Sequence, residues 1–217
     1  MTPLPSVFLV GDSVRGSYQG LLAALFRGEA KVSGPRDNSF DSRHTRERLS
    51  RWLGEERPDI ITWNNGLHDI RRNRSTGAHQ VERAEYAENI DAIAGRLLAL
   101  APGKVIWLTT TPVVESWHQL ARDYDRLNAT IDDYNRIAGE IVSRHGIPVI
   151  DLHGVIASGP VETLLMKDGV HLNDRGRLLA AATIAEKIRP WLNVLLGRGE
   201  EGDVHAQVQA SMSVQVE

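Results

Sequence analysis

An apolar run, Val7-Phe8-Leu9-Val10, leads straight into Gly11-Asp12-Ser13, and much later Asp168-Gly169-Val170-His171 places a carboxylate and an imidazole three residues apart. A serine hydroxyl is a poor nucleophile at neutral pH until a base takes its proton, and an imidazole serves as that base when a third group fixes its tautomer. Ser13, His171 and Asp168 supply those three parts, the carboxylate accepting from Nδ1 while Nε2 turns toward the serine. Each motif alone is weak, because Gly-Asp-Ser more often marks a turn than a nucleophile. Together, at opposite ends of one alternating pattern of strands and helices, they imply acyl transfer through a serine.

The elements that must position these groups follow from hydrophobic periodicity. Short apolar runs predict strands over residues 6–10, 30–33, 59–63, 104–109 and 147–150. Longer segments of helical period predict helices over 13–26, 42–55, 81–100, 127–145 and 173–196. Such alternation is the pattern of an α/β domain with a parallel sheet. Pro58, Pro102-Gly103 and Gly146 punctuate it, and Asn173 is placed to cap the last helix. Ligands of these sheets bind beyond the carboxyl ends of the strands, where the strand order reverses. Ser13, Asn64, Asn65, His68 and Thr110 all follow strand ends and are expected on that rim.

At 217 residues the length suits one domain with a tail, divided here as 1–197 and 198–217. A net charge of −3, from 25 basic and 28 acidic residues, gives no global attraction to nucleic acid or anionic membranes. The absence of cysteine excludes disulfide and thiol chemistry. No run of about 18 apolar residues offers a membrane span, and Met1-Thr2-Pro3-Leu4-Pro5 has no basic region of the kind that opens a secretion signal. A soluble, cytoplasmic protein is the expectation.

The strand, Gly-Asp-Ser and helix differ from a Gly-x-Ser-x-Gly elbow, since residue 15 is Arg. They resemble instead the first block of the SGNH (GDSL-type) hydrolases, and Asp168-x-x-His171 followed by Leu172-Asn173-Asp174-Arg175-Gly176 resembles the last. The resemblance extends over roughly residues 6–195. It implies a flavodoxin-like three-layer α/β/α sandwich with a five-stranded parallel sheet. It also implies Ser13 as nucleophile and oxyanion-hole amide, His171 as general base and then acid, and Asp168 as the orienting carboxylate. One block departs from the family. Where most members carry Gly-x-Asn-Asp, this chain reads Asn64-Asn65-Gly66-Leu67-His68-Asp69, which marks a subgroup with His68 at the position of the oxyanion-binding asparagine. A ring N–H is able to donate there, subject to tautomer and charge. Asn65 or its neighbour Asn64 is an alternative source of the amide. Within Asn38-Ser39-Phe40-Asp41-Ser42, Asn38 is assigned to the hole with His68.

Arg71-Arg72-Asn73-Arg74 follows this block directly, and Arg36 and Arg43 flank the preceding one. Guanidinium groups over a site grip carboxylate or phosphate in a fork, whereas solvated loop arginines are the plainer reading. Asn64, Asn65, Arg71 and Thr110 are taken as substrate-binding, with Trp117 and His118 in a loop forming a wall or lid. No long apolar insert is present to sheath a fatty chain. The residues therefore point to an O-acyl, in first place acetyl, esterase acting on a small-molecule or carbohydrate ester. An acyltransferase using the same triad and a non-catalytic ligand-binding member are the alternatives. No cofactor or metal is expected, because no pair of ligands has zinc-protease spacing and the triad already employs two of the acidic and imidazole groups. Beyond Gly197, Val204, Ala206, Val208, Ala210, Met212, Val214 and Val216 alternate with polar residues. Period two predicts a strand that pairs with another copy or covers an edge of its own sheet, against the alternative of a flexible terminus.

Overall fold

A computed structural model describes residues 3–54, 57–101 and 104–199. The alternating segment over 204–216, expected as a strand, lies outside these residues, as does the Glu55 end expected for the second helix.

The chain runs β1 (Ser6–Val10), α1 (Ser13–Leu25), β2 (Lys31–Ser33), α2 (Ser42–Leu53), β3 (Ile60–Trp63), β4 (Arg72–Asn73) and α3 (Arg83–Leu100). It continues through β5 (Val105–Leu108), α4 (Glu115–Ala121), β6 (Tyr124–Asp125), α5 (Asn128–Arg144), β7 (Val149–Ile150), α6 (Leu152–Ala157) and α7 (Asp174–Leu195). Five strands form one parallel sheet in the order β2-β1-β3-β5-β7. Helix α1 packs with α7 and α7 with α6, while α2, α3 and α5 pack in a row. This is the expected three-layer α/β/α sandwich with a parallel sheet. The chain leaves β1 for β2 on one side and returns to β3 on the other, so the order reverses at β1. At such a point two crossover connections diverge and leave a crevice at the carboxyl ends of the strands.

The core explains why these strands read as apolar runs. Val7, Leu9, Ile60, Ile61, Trp63, Ile106 and Trp107 are wholly buried, as strands covered on both faces must be. Trp63 and Trp107 stand opposite each other on β3 and β5, edge to face with centroids 4.6 Å apart. Side chains cap four helices: Asp12, Asp41, Asp151 and Asn173 accept from backbone N–H groups of the first turns of α1, α2, α6 and α7.

Besides helix α6, two short features were not legible in the sequence. Helix α4 carries Trp117 and His118, which were expected in a loop. The two-residue strands β4 and β6 pair antiparallel, Arg72 with Asp125 and Asn73 with Tyr124. Neither is long enough to show a period, and both are held by contacts distant in sequence. Arg74, for example, donates from Nε to Asp125 at 2.8 Å and from Nη2 to the Gln119 carbonyl at 3.0 Å.

Gly66 shows how tightly the turn after β3 is packed. Its φ of 151° belongs to glycine, and a Cβ there would lie 2.1 Å from the Thr110 Oγ1. Gly66→Ala is expected to destabilise the fold by on the order of 2–4 kcal/mol, read from the urea midpoint. A loss below about 0.5 kcal/mol, the level of an ordinary surface substitution, would contradict this packing.

Candidate active site

The end of β1 delivers Gly11 and Asp12 to the amino end of α1, and Ser13 is the first residue of that helix. At this position the amide N–H has no intrahelical carbonyl to meet, and the helix dipole favours negative charge nearby. Asp12 supports the turn by accepting from the Val14 N–H at 2.9 Å. Burial pushes the Asp12 carboxyl above its ordinary value, opposed by that hydrogen bond and by the charge of Arg126. Arg15 braces the turn from behind, donating to the Pro35 carbonyl at 3.2 Å, the Asp37 carbonyl at 3.3 Å and Gln19 Oε1 at 2.6 Å.

The loop before α7 brings the other two groups. Ser13 Oγ and His171 Nε2 are 2.8 Å apart, and His171 Nδ1 donates to Asp168 Oδ2. The other carboxylate oxygen accepts from the backbone N–H groups of Val170 and His171, each at 3.0 Å. Burial raises the Asp168 carboxyl, but the ring and backbone N–H groups outweigh it and hold the group below its ordinary value. The ionised carboxylate thus fixes the imidazole with Nε2 as the acceptor facing serine.

This loop is itself pinned. Val114 donates its N–H to the Gly169 carbonyl at 2.9 Å, and Met166 donates to the His171 carbonyl at 2.7 Å. Gly169, at φ 73°, sits so close to α4 that a Cβ would lie 2.5 Å from the Val114 carbonyl oxygen. The short helix absent from the sequence reading therefore sets the height of the histidine.

Ser13, Asp168 and His171 open into a cavity of about 100 Å³ lined also by Asp12, Asn38, Leu67, His68, Arg71, His118, Arg122, Tyr124, Arg126 and Val170. Asn38 accepts from the Phe40 N–H at 2.7 Å, which identifies Oδ1 and leaves the NH₂ end as the donor. Its segment is tied to the nucleophile turn, Gly11 donating to Ser39 Oγ at 3.0 Å and Ser39 N–H to the Gly11 carbonyl at 3.3 Å. His68 is buried edge-on against Phe40, with Nδ1 lacking a partner. Burial, followed by the charges of Arg71 and Arg126, pushes His68 down to about 3, so its imidazole is neutral and carries one N–H. The structure thus brings Ser13, Asn38, His68, Arg71, Asp168 and His171 together around one space.

Three expected substrate-binding residues do not line it. Asn64 donates to the Leu108 carbonyl at 2.9 Å, between β3 and β5. Asn65 is only 2% exposed, accepting from Trp63 Nε1 at 2.8 Å and donating to Thr45 Oγ1 at 2.9 Å. Thr110 donates its hydroxyl to the Asn65 carbonyl at 3.0 Å and its N–H to Asn135 Oδ1 at 2.8 Å. All three follow strand ends as expected, but packing turns their side chains inward to satisfy buried polar groups. They correct the expectation: these groups hold the rim together, and the buried Asn65 amide does not line the cavity. Conversely, Tyr124, Arg122 and Arg126 line the cavity without having been singled out. Their only sequence signal is a cluster of charged residues and Tyr after α4, which has no motif spacing.

A half-buried serine–histidine–aspartate chain at the switch point of a parallel α/β/α sandwich defines an ester-hydrolysing enzyme of the serine type. The chain belongs to the GDSL-like lipase/acylhydrolase family, whose model matches residues 9–179. No curated protein matches the sequence. Among solved structures, the chain is similar to an acetyl xylan esterase, AlAXEase, with a TM-score of 0.71 and 17% identity over 84% of this chain and 99% of that one. A lipase/acylhydrolase from Enterococcus faecalis gives a TM-score of 0.71 and 22% identity over 86% and 96%. Axe2, an acetylxylan esterase from Geobacillus stearothermophilus, gives 0.66 and 17% over 84% and 93%. At these identities the likeness is one of fold. No helix among the described residues is long and apolar enough to cross a membrane.

Asp69, next to His68, is fully buried with Oδ2 unpartnered, while Oδ1 accepts from the Ser42 N–H at 2.8 Å. Burial, partly offset by hydrogen bonds from Ser42, raises its carboxyl from 3.8 to about 7. Stability from the protonated form is therefore complete below about pH 4 and lost as pH rises through about 7. Asp69→Asn stays neutral throughout, so urea midpoints are expected to shift in its favour relative to the wild type as pH rises from about 5 to about 8. A pH-independent difference would show that Asp69 is ionised across the range.

Proposed function

We propose that this enzyme removes a short acyl group, acetyl in first place, from a carbohydrate or other polar alcohol through an acyl-enzyme on Ser13. The observation that carries the reading is the opening of the Ser13–His171–Asp168 chain into a polar cavity of about 100 Å³, with histidine, arginine and tyrosine walls. Pockets that bury drug-sized ligands measure about 300–1,000 Å³, so a long acyl chain has no comparable enclosure here. The acetyl xylan esterases among the structures of similar fold support the same direction.

In this mechanism His171 takes the Ser13 proton as Oγ attacks the ester carbonyl. Asp168 stabilises the imidazolium, and the Ser13 N–H, the Asn38 amide and the His68 ring N–H receive the oxyanion. His171 returns the proton to the departing alcohol, then activates water to release the acid. His68 in place of an asparagine is the subgroup feature, and neutrality suits the role. A neutral imidazole retains a single N–H, and which nitrogen bears it is set by its surroundings rather than by solution pH.

The test is hydrolysis of p-nitrophenyl esters graded from acetate to octanoate. Acetate is expected to have the highest kcat/KM, with Ser13→Ala lowering kcat by about 10³-fold or more. A preference for octanoate, or activity that survives in Ser13→Ala, would overturn the proposal. His68→Ala is expected to lower kcat about 10- to 10³-fold with little change in KM, and His68→Asn to restore part of it. Equal loss in both variants would remove His68 from the oxyanion site. Faster ester loss with an added sugar alcohol, accompanied by acylated sugar instead of free acid, would reassign the enzyme as an acyltransferase.

A further inference from the structure

One wall of the cavity is built from arginine side chains, one of which, Arg126, feels the charge of Asp12. Arg71, Arg122 and Arg126 all line it. Among the described residues none of the three forms an ion pair, whereas the neighbouring Arg72 and Arg74 both engage Asp125. Arg126 is only 5% exposed; its Nε donates to the Leu67 carbonyl at 2.5 Å and its guanidinium lies 5.3 Å from the centroid of the Tyr124 ring. Arg71 lies 5.0 Å from the same centroid, and its Nε is buried without a partner. Two like charges therefore share one aromatic ring. Burial, with the charge of Arg71 in the same direction, lowers the Arg126 guanidinium from its ordinary value against the opposing effects of Tyr124 and Asp12.

A histidine adds to the same wall. His118 is 1% exposed and edge-on to Tyr124 at 5.3 Å. Burial, followed by the charge of Arg126, pushes it down to about 4, so it is neutral. The carboxylates that line the space are already engaged, Asp12 with the Val14 N–H and Asp168 with His171. A buried guanidinium without an anion is costly, and solvated-loop arginine does not describe a side chain as enclosed as Arg126.

We infer that this wall is an anion subsite, and that the ester attacked by Ser13 carries a carboxylate or phosphate group held by Arg71 and Arg126. The inference rests on the reading of Ser13 as nucleophile and names the substrate class for that same site. Planar guanidinium groups fit both oxyanions in a forked geometry, and the Tyr124 ring orients them. The neutral rings of His68 and His118 add N–H donors without adding charge.

Matched acetate esters separate this inference from general catalysis. At low ionic strength, 4-acetoxybenzoate and 4-acetoxyphenyl phosphate are compared with neutral 4-acetoxybenzamide, and mono-p-nitrophenyl succinate with p-nitrophenyl acetate. At least one anionic ester is expected to exceed its neutral partner in kcat/KM by about tenfold or more. Arg71→Gln is expected to reduce that ratio severalfold, with Arg126→Lys as a second variant that keeps the charge but not the fork. The better arm identifies carboxylate or phosphate, and the acyl or alcohol side. Neutral esters turned over as well as every anionic one, or equal losses for both kinds in Arg71→Gln, would overturn the subsite while leaving the esterase standing. Calorimetric titration of Ser13→Ala with succinate and with inorganic phosphate reads the subsite without turnover. Binding of either that is lost in Arg71→Gln supports the inference, and no binding of either at millimolar concentration refutes it.

Discussion

Strand β1 lies in parallel register between β2 and β3, with Phe8 opposite Ser33 on one side and Val10 opposite Trp63 on the other. That double pairing determines where the chemistry can stand. It places the Gly11-Asp12-Ser13 turn and the His68 turn at the same edge of the sheet, one strand apart, and opens the amino end of α1 into the crevice between them. Burial of β1 and β3 on both faces makes the register costly to shift, because one residue of slippage would force both layers of the core to repack. The third block arrives from the far end of the chain through α7, which packs against α1. The helix that begins at Ser13 is thus held by the helix that follows His171.

Electrostatics divides the cavity. On the triad side, a carboxylate with three N–H donors keeps its charge and orients the imidazole. On the other side, burial and neighbouring guanidinium groups keep His68 and His118 neutral. The same residue type therefore serves opposite purposes a short distance apart. His171 is paired so that it can accept and return a proton, whereas His68 is held as a fixed donor. Asp69 stays beneath this arrangement as a buried carboxyl whose proton belongs to the folded state.

The strand ends were legible, but the directions of the side chains there were not. Asn64, Asn65 and Thr110 sit where a rim residue should, yet each turns inward because the sheet ends leave carbonyl and N–H groups that need partners. Asn65 meets Trp63, Thr45, Tyr86 and Thr110 through its side chain and carbonyl. Only the Trp63 contact is local; the other three partners stand 20, 21 and 45 residues away, beyond the reach of any local pattern. Arg126 and Tyr124 were missed for the converse reason: a two-residue strand carries no period, and β6 is anchored by contacts with β4 and α4.

Residue order along the chain is enough to specify the class of chemistry and the architecture. Apolar strands alternating with helices specify a buried parallel sheet. Gly11-Asp12-Ser13 and Asp168-x-x-His171 carry their function in local geometry, a strand-to-helix turn and a loop that closes a carboxylate on its own imidazole. Tertiary structure alone decided which polar residues face the cavity and which brace it, and how many cations stand there unpaired. Those outcomes depend on packing between segments distant in sequence and on how far each group is removed from water. Neither quantity belongs to any single stretch of residues.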